Sequence, residues 1–316
     1  PAGSRVIVPV LPDDPPANAR RDTRALLALL LGGASIAFVP MCVRWSAVGP
    51  NATAFWRLAI ALPLLCLVRA AERPSARTRL TRSERVQLVI AGLCFAGDLE
   101  TWHACIRLTA IANATLLPNL APIFVTLGAR VLFGEPIRPR FIGALVVALA
   151  GVWVLLGSSP HADGRLLGDA LGLTAAAFYA GYLLAVQRLR ATLSTATVML
   201  GSGVVSTIAF LFVTGVTGET LLPPTPRAWL PLVTLGVLHT AGQGLIGHAL
   251  AVLPATFLSV GLLIQPVGAA LLAAVLFDEA LGPQQLAGGA LVVAGILLAR
   301  RAQTPPVIAL ATAAAP

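Results

Sequence analysis

The residues of this chain whose types suit chemistry are few, and they sit inside long apolar runs. One run holds Gly97-Asp98-Leu99-Glu100-Thr101-Trp102-His103; others hold Arg57, Asn119, Tyr179 with Tyr182, His239 with Gln243, and Gln265. Amides, phenols, imidazoles and an indole can hydrogen-bond a small polar molecule and wall off its apolar part. No H-E-x-x-H or comparable metal pattern is present, and the four cysteines (Cys42, Cys66, Cys94, Cys105) include no C-x-x-C pair. Neither a metal nor a cofactor is expected. The set points to reversible binding rather than bond-making.

Composition decides what must position these side chains. Of 316 residues, 57% are apolar and 11% charged, against about 25% charged in ordinary soluble proteins. A soluble globule cannot hide that much apolar surface behind a polar exterior. The chain reads as an all-α polytopic membrane protein. Ten segments are long enough to cross about 30 Å of hydrocarbon as helices. They lie near 24–43, 51–69, 85–107, 110–133, 139–157, 166–189, 195–217, 227–250, 255–277 and 283–300. The alternating pattern of an outer-membrane barrel is missing. Residues 1–23 and 303–316 read as flexible cytoplasmic tails.

The formal charge is +9, and all 22 basic residues are arginine. Seventeen lie in the tails and connections of one side, among them Arg69, Arg82, Arg85, Arg138, Arg190 and Arg300. Only Arg44, Arg107, Arg165 and Arg227 fall on the other side, while Arg57 is inside the second segment. Arginine marks the cytoplasmic face, so both termini should be cytoplasmic. The basic balance is thereby accounted for by the bilayer, without a nucleic-acid partner.

A repeat organises the ten segments. V-L-F-G-E-P-I-R-P (131–139) aligns with V-L-F-D-E-A-L-G-P (275–283) at an offset of 144. The same offset pairs Pro122 with Pro266, Ala150-Gly151 with Ala294-Gly295, and Arg44 with Arg188. Each half, 24–157 and 158–302, then holds five helices. Five is odd, so the second half should enter the membrane upside down. Inverted repeats of this kind characterise secondary transporters, whose substrate sits near the midplane between the halves.

The block L-A-P-I-F…L-F-G-E-P-I, its echo Q-P-V…L-F-D-E-A-L, and W-R-L-A-I in the second segment carry a resemblance. They resemble the drug/metabolite transporter superfamily, and within it the EamA-type repeat proteins, over roughly residues 24–300. The YddG-type exporters of aromatic and other neutral amino acids are the most similar group. The resemblance implies ten helices, a central cavity between halves, and export of small metabolites across the bacterial inner membrane.

Position on each helix proposes the lining of that cavity. In the third segment Leu99, Trp102 and His103 share one arc at about 100° per residue. Asp98 and Glu100 flank the arc, as coupling groups or as ion-pair partners of Arg57 or Arg107. In the eighth segment His239 and Gln243 share a face, and Gln243 is the repeat mate of Leu99. Pro118, Asn119 and Pro122 interrupt the fourth segment, and Gln265 and Pro266 the ninth. Matching interruptions in two repeats mark a binding site or a hinge. Tyr179 and Tyr182 share a stripe with the small residues Gly172 and Ala175. Glu135 and Glu279, just before the fifth and tenth segments, suit the positive end of a helix.

The function expected is a secondary transporter exporting small neutral amino acids, including aromatic ones, by alternating access. It would act as a monomer in the lipid bilayer and is not expected to be an enzyme. Cationic drugs or purines are the alternative substrates. An intramembrane enzyme acting on lipid-linked substrates is the remote alternative.

Overall fold

Polar residues and prolines at the ends of the apolar runs decide where each helix starts and stops. Thr81 accepts from the Glu84 backbone N–H at 3.2 Å while the Glu84 carboxylate takes the Thr81 N–H at 2.8 Å, a reciprocal cap that opens one long helix. Pro50, Pro139 and Pro283 each open another, where a missing N–H costs nothing. Gly134 and Gly218, with φ of 68° and 69°, close two more in the left-handed region.

The computed structural model describes residues 15–72, 79–109, 111–156, 166–277 and 281–302, and every regular element among them is helical. The first half contains α1 (Pro15–Ala37), α2 (Val39–Arg44), α3 (Pro50–Ala71), α4 (Arg82–Leu108), α5 (Ile111–Leu116), α6 (Ala121–Phe133) and α7 (Pro139–Leu156). The second contains α8 (Leu166–Arg190), α9 (Thr195–Thr217), α10 (Trp229–Ala249), α11 (Ala255–Gly261), α12 (Ile264–Phe277) and α13 (Pro283–Ala302). α1 begins inside the stretch expected to be a tail, so residues 15–23 are helical. Residues 303–316, together with Arg165 and Glu279, lie outside the described residues.

Among the described residues, nine helical segments are long and apolar enough to cross a membrane. They match nine of the ten expected spans. The exception is α4, which is long enough at 27 residues but carries Asp98, Glu100 and His103 within its length. Its neighbours compensate, because α4 packs along both α8 and α9. Elsewhere the span hydroxyls bond back to their own helix. Thr126 donates to the Pro122 carbonyl, Thr214 to Phe210 and Thr207 to Gly203, each at 2.7 Å. Such bonds leave no hydroxyl stranded in hydrocarbon.

Contacts between connections sort the helix ends into two groups. At the arginine-rich end Thr192 donates to Glu84 at 2.9 Å and Ser194 to Glu72. At the opposite end Glu219 receives the first backbone N–H groups of α3 from Asn51 and Ala52, both at 2.9 Å. A carboxylate there meets the positive end of that helix. Trp56 donates to the Leu221 carbonyl beside it, and its ring meets Trp229 edge-on.

The most extensive packing joins the two halves: α7 against α13, α4 against α8, α1 against α10 and α3 against α9. Small residues set the α7–α13 spacing. A Cβ on Gly151 would fall 2.5 Å from the Val292 nitrogen, and one on Gly295 would fall 2.6 Å from the Ala148 Cα. The echo of Ala150-Gly151 in Ala294-Gly295 is therefore a packing seam, in the manner of small residues in other membrane helices. Other repeated positions face outward: Val131 and its mate Val275 are 81% and 78% exposed. We expect Gly151→Val to lower the melting temperature in detergent, by an overpacking cost of about 1–3 kcal/mol. Gly143→Val, on the same helix with nothing within 4 Å, should leave the melt unchanged.

Candidate functional site

The site begins at the broken helices of the fourth and ninth spans; the first span, interrupted at Phe38 between α1 and α2, also borders it. The fourth span stops as an α-helix at Leu116, tightens through Leu117–Leu120, and restarts at Ala121. The ninth stops at Gly261 and restarts at Ile264, with tight bonds from Leu263 N–H to Val260 and from Gln265 N–H to Leu262. The interruptions, 117–120 and 262–263, are centred one repeat offset apart. Pro122 and Pro266 sit in the first turns of the restarted helices, where their missing donors are tolerated. They let each helix begin again and do not kink its middle.

Both breaks face one central hollow of about 240 Å³. Of the residues singled out by sequence, Leu99, Trp102, Asn119, Tyr179, Gln243 and Gln265 line it, as do Arg57, Asp98, Pro118, Pro122 and Pro266. The Tyr179 hydroxyl lies at the amides of Gln243 and Gln265. The Asn119 amide donates to the Thr115 carbonyl at 2.7 Å, and the Trp102 indole donates to Ala114 at 3.1 Å. Each of these two bonds ties a wall side chain to a carbonyl beside the fourth-span break.

His103, Tyr182 and His239 are not in the wall. They form a second layer behind it. Tyr182 stacks on Tyr179 with ring centres 6.0 Å apart and donates to Gln243 Oε1 at 3.2 Å. That bond fixes the Gln243 amide, which also meets the Tyr179 hydroxyl. His103 is wedged between Trp102 and Phe210, at 5.4 and 6.5 Å between ring centres, and its Nδ1 has no hydrogen-bond partner among the described residues. His239 packs on Phe95 at 5.4 Å.

The three charges within these spans separate. Arg57 Nε donates to His239 Nδ1 at 3.2 Å, and the guanidinium lies over Phe95, 5.9 Å from the ring centre. An accepting nitrogen carries no proton, so the bond requires the neutral ring. Asp98 lies in the field of Arg57, but the two make no contact ion pair. Glu100 lies instead in the fields of Arg107 and Glu219 and does not line the hollow. The roughly 200° between the two carboxylates, at 100° per residue, is realised as opposite sides of α4.

Sequence reasoning missed Phe95, Thr115 and Ser259, all in the wall. Phe95 had a legible signal, since Phe95, Leu99 and Trp102 follow helical spacing along one face. Thr115 and Ser259 had none, because each lines the hollow only through the local unwinding.

A second hollow of about 820 Å³ opens at the arginine-rich end, lined by Asp22, Glu135, Arg138, Gln187, Arg190 and Arg300 among others. The two hollows share no lining residue. Between them α1, α6, α8, α10 and α11 supply Leu29, Val125, Leu183, Ile246 and Leu258, each at most 1% exposed. Glu135 crosses this end: its carboxylate accepts from Gln187 at 3.4 Å and from Thr256 at 3.3 Å. Gln187 in turn accepts the Ala255 N–H that opens α11, at 2.8 Å. Glu135 therefore links the halves, and its carboxylate is not spent on the start of α7.

The model of the EamA-like transporter family matches twice, over residues 23–157 and 166–301. The chain belongs to that family. The transporter is 31% identical over 281 residues to the threonine/homoserine exporter RhtA of Escherichia coli, covering 85% of this chain and 87% of that one. It is 25% identical over 247 residues to the pseudopaline exporter CntI of Pseudomonas aeruginosa, covering 78% and 84%. An uncharacterized transporter of Archaeoglobus fulgidus is 28% identical over 224 residues, covering 70% and 78%. A solved crystal structure superposes with a TM-score of 0.75 at 22% identity, over 89% of this transporter and 97% of that chain. That likeness concerns the fold.

The two histidines should respond oppositely to the same change. His103→Phe removes an unpartnered buried nitrogen, so the melting temperature should hold or rise. His239→Phe strips Arg57 of its acceptor and should cost about 1–3 kcal/mol. Parallel melts of the two purified variants check this.

Proposed function

We propose that this transporter exports small neutral amino acids, including aromatic ones, across the bacterial inner membrane. The observation that carries the reading is the wall of the central hollow. Three amides, Asn119, Gln243 and Gln265, share the wall with the rings of Trp102, Tyr179 and Phe95. An amide can donate to a carboxylate and accept from an ammonium, while the rings receive an apolar side chain. The volume equals roughly eight waters at about 30 Å³ each, the scale of a small metabolite. Similarity to an exporter of threonine and homoserine supports the same class.

The mechanism proposed is alternating access by two inverted five-helix halves with both termini cytoplasmic. Its support is the pairing of breaks at one offset and the buried apolar layer between the two hollows. Rocking of the halves would part Leu29, Val125 and Leu258 and release the Glu135 bridge, joining the central hollow to the arginine-rich end. One chain supplies both halves, so a monomer suffices.

Reconstituted protein in liposomes loaded with labelled threonine, phenylalanine, tryptophan or methionine should show protein-dependent efflux of at least one. Gln243→Leu should reduce that flux by about tenfold, as expected for loss of roughly 1.4 kcal/mol of binding. Absence of flux for all four would remove the amino-acid reading. In a cysteine-free background, Leu258→Cys should react with an impermeant maleimide from the cytoplasmic side, and faster during transport. Labelling unaffected by substrate would argue against the rocking motion.

A further inference from the structure

Two charged side chains line the central hollow, Arg57 from α3 and Asp98 from α4. Each is deep in the protein, and each keeps its charged end free of the other. Arg57 uses Nε on His239, and among the described residues its terminal nitrogens have no hydrogen-bond partner. The Asp98 carboxylate likewise takes no hydrogen bond from any described side chain or backbone N–H. Neither group is counted among the fully enclosed atoms lacking partners, so both reach the void.

That arrangement is costly for a protein alone. A charge taken out of water without a partner loses several kcal/mol, and a contact pair would recover much of it. Here the guanidinium is instead held by the His239 ring and the face of Phe95. Both charged groups border the same hollow without pairing with each other. A molecule with only one charge would satisfy one of them and strand the other. A molecule with both, and no net charge, satisfies the two together through charge-assisted hydrogen bonds.

We infer that Arg57 receives the carboxylate and Asp98 the ammonium of one zwitterionic substrate, whose side chain then lies against Trp102, Leu99 and Tyr179. The inference rests on the amino-acid reading above and names the groups that enforce it. It also sets the cationic-drug alternative aside, because a lone cation at Asp98 would meet the field of Arg57. His239 and Phe95 act as positioning residues: they fix the guanidinium before substrate arrives, so little ordering is left for binding.

Ligand chemistry tests this without altering the protein. The purified full-length chain is titrated with L-phenylalanine, phenylethylamine and 3-phenylpropionate, and with L-threonine and its decarboxylated and deaminated analogues. Affinity is read by thermal shift and by competition against labelled amino acid flux. The intact amino acid should bind at least about a hundredfold more tightly than either analogue, because a site built for a polar group rejects ligands that lack it. Arg57→Gln should abolish the preference over the amine, and Asp98→Asn the preference over the acid. Analogues that bind the unaltered protein as well as the amino acid overturn the charge assignment and leave amino-acid export standing. So do folded variants that keep both preferences. If the variants do not fold, the analogue series on the unaltered chain decides. Binding by none of the six ligands, together with absent flux, overturns the amino-acid reading itself.

Discussion

No water reaches the hydrocarbon core of a bilayer, so a polar group there is bonded within the protein or stranded at a cost of several kcal/mol. Most of this chain obeys that constraint in the simplest way, as unbroken helices whose serine and threonine hydroxyls bond to carbonyls a turn behind. The fourth and ninth spans depart from it, as does the first at Phe38 between α1 and α2, and these departures are why a site exists. At 117–120 and 262–263 the regular ladder gives way to tighter local bonds and to neighbouring side chains. Asn119 and the Trp102 indole donate to two carbonyls beside the first break, and both side chains are part of the wall. Irregular backbone and binding surface are thus one feature.

The same constraint explains how the halves are joined. Lipid tails are as apolar as leucine, so burying leucine against leucine gives little drive for two helices to associate. Close approach must supply it through dispersion contacts and a few internal hydrogen bonds. Gly151, Gly288 and Gly295 bring α7 and α13 almost backbone to backbone, and Ser206 bonds across to the Gly92 carbonyl at 2.7 Å. Polar bridges are kept for the ends. Glu219 and Leu221 fasten α3 at one face, while Glu135, Gln187 and Thr256 connect the halves at the other. Between these ends, five helices meet in a layer with no polar side chain in Leu29, Val125, Leu183, Ile246 and Leu258. A layer of that kind can separate without leaving a broken hydrogen bond behind.

Periodicity along one helix tells the angle at which a side chain leaves the axis, but not what stands at that angle. Leu99, Trp102 and His103 share an arc, yet the first two face the hollow and His103 turns against Phe210 of α9. Tyr179 and Tyr182 share a stripe, and only Tyr179 reaches the void. His239 and Gln243 likewise divide, because Arg57, 182 positions earlier, claims the histidine. In each case the deciding neighbour lies on a distant segment, and no local spacing names it. Glu135 is a similar case. Its place before α7 suggested a helix start, but its partners come from α8 and α11.

Hydropathy alone determined the class of this protein: the helical spans follow from run length, because a bilayer accepts few other backbones. The repeat also sufficed to locate the two breaks, since the same proline-marked interruption at one offset had to lie where two halves meet. Tertiary structure alone decided which polar residues form the wall, which stand behind it, and that Arg57 and Asp98 face the same hollow unpaired. Those outcomes depend on the distance and rotation between helices far apart in the chain. Side-chain packing sets both, and no single segment encodes it.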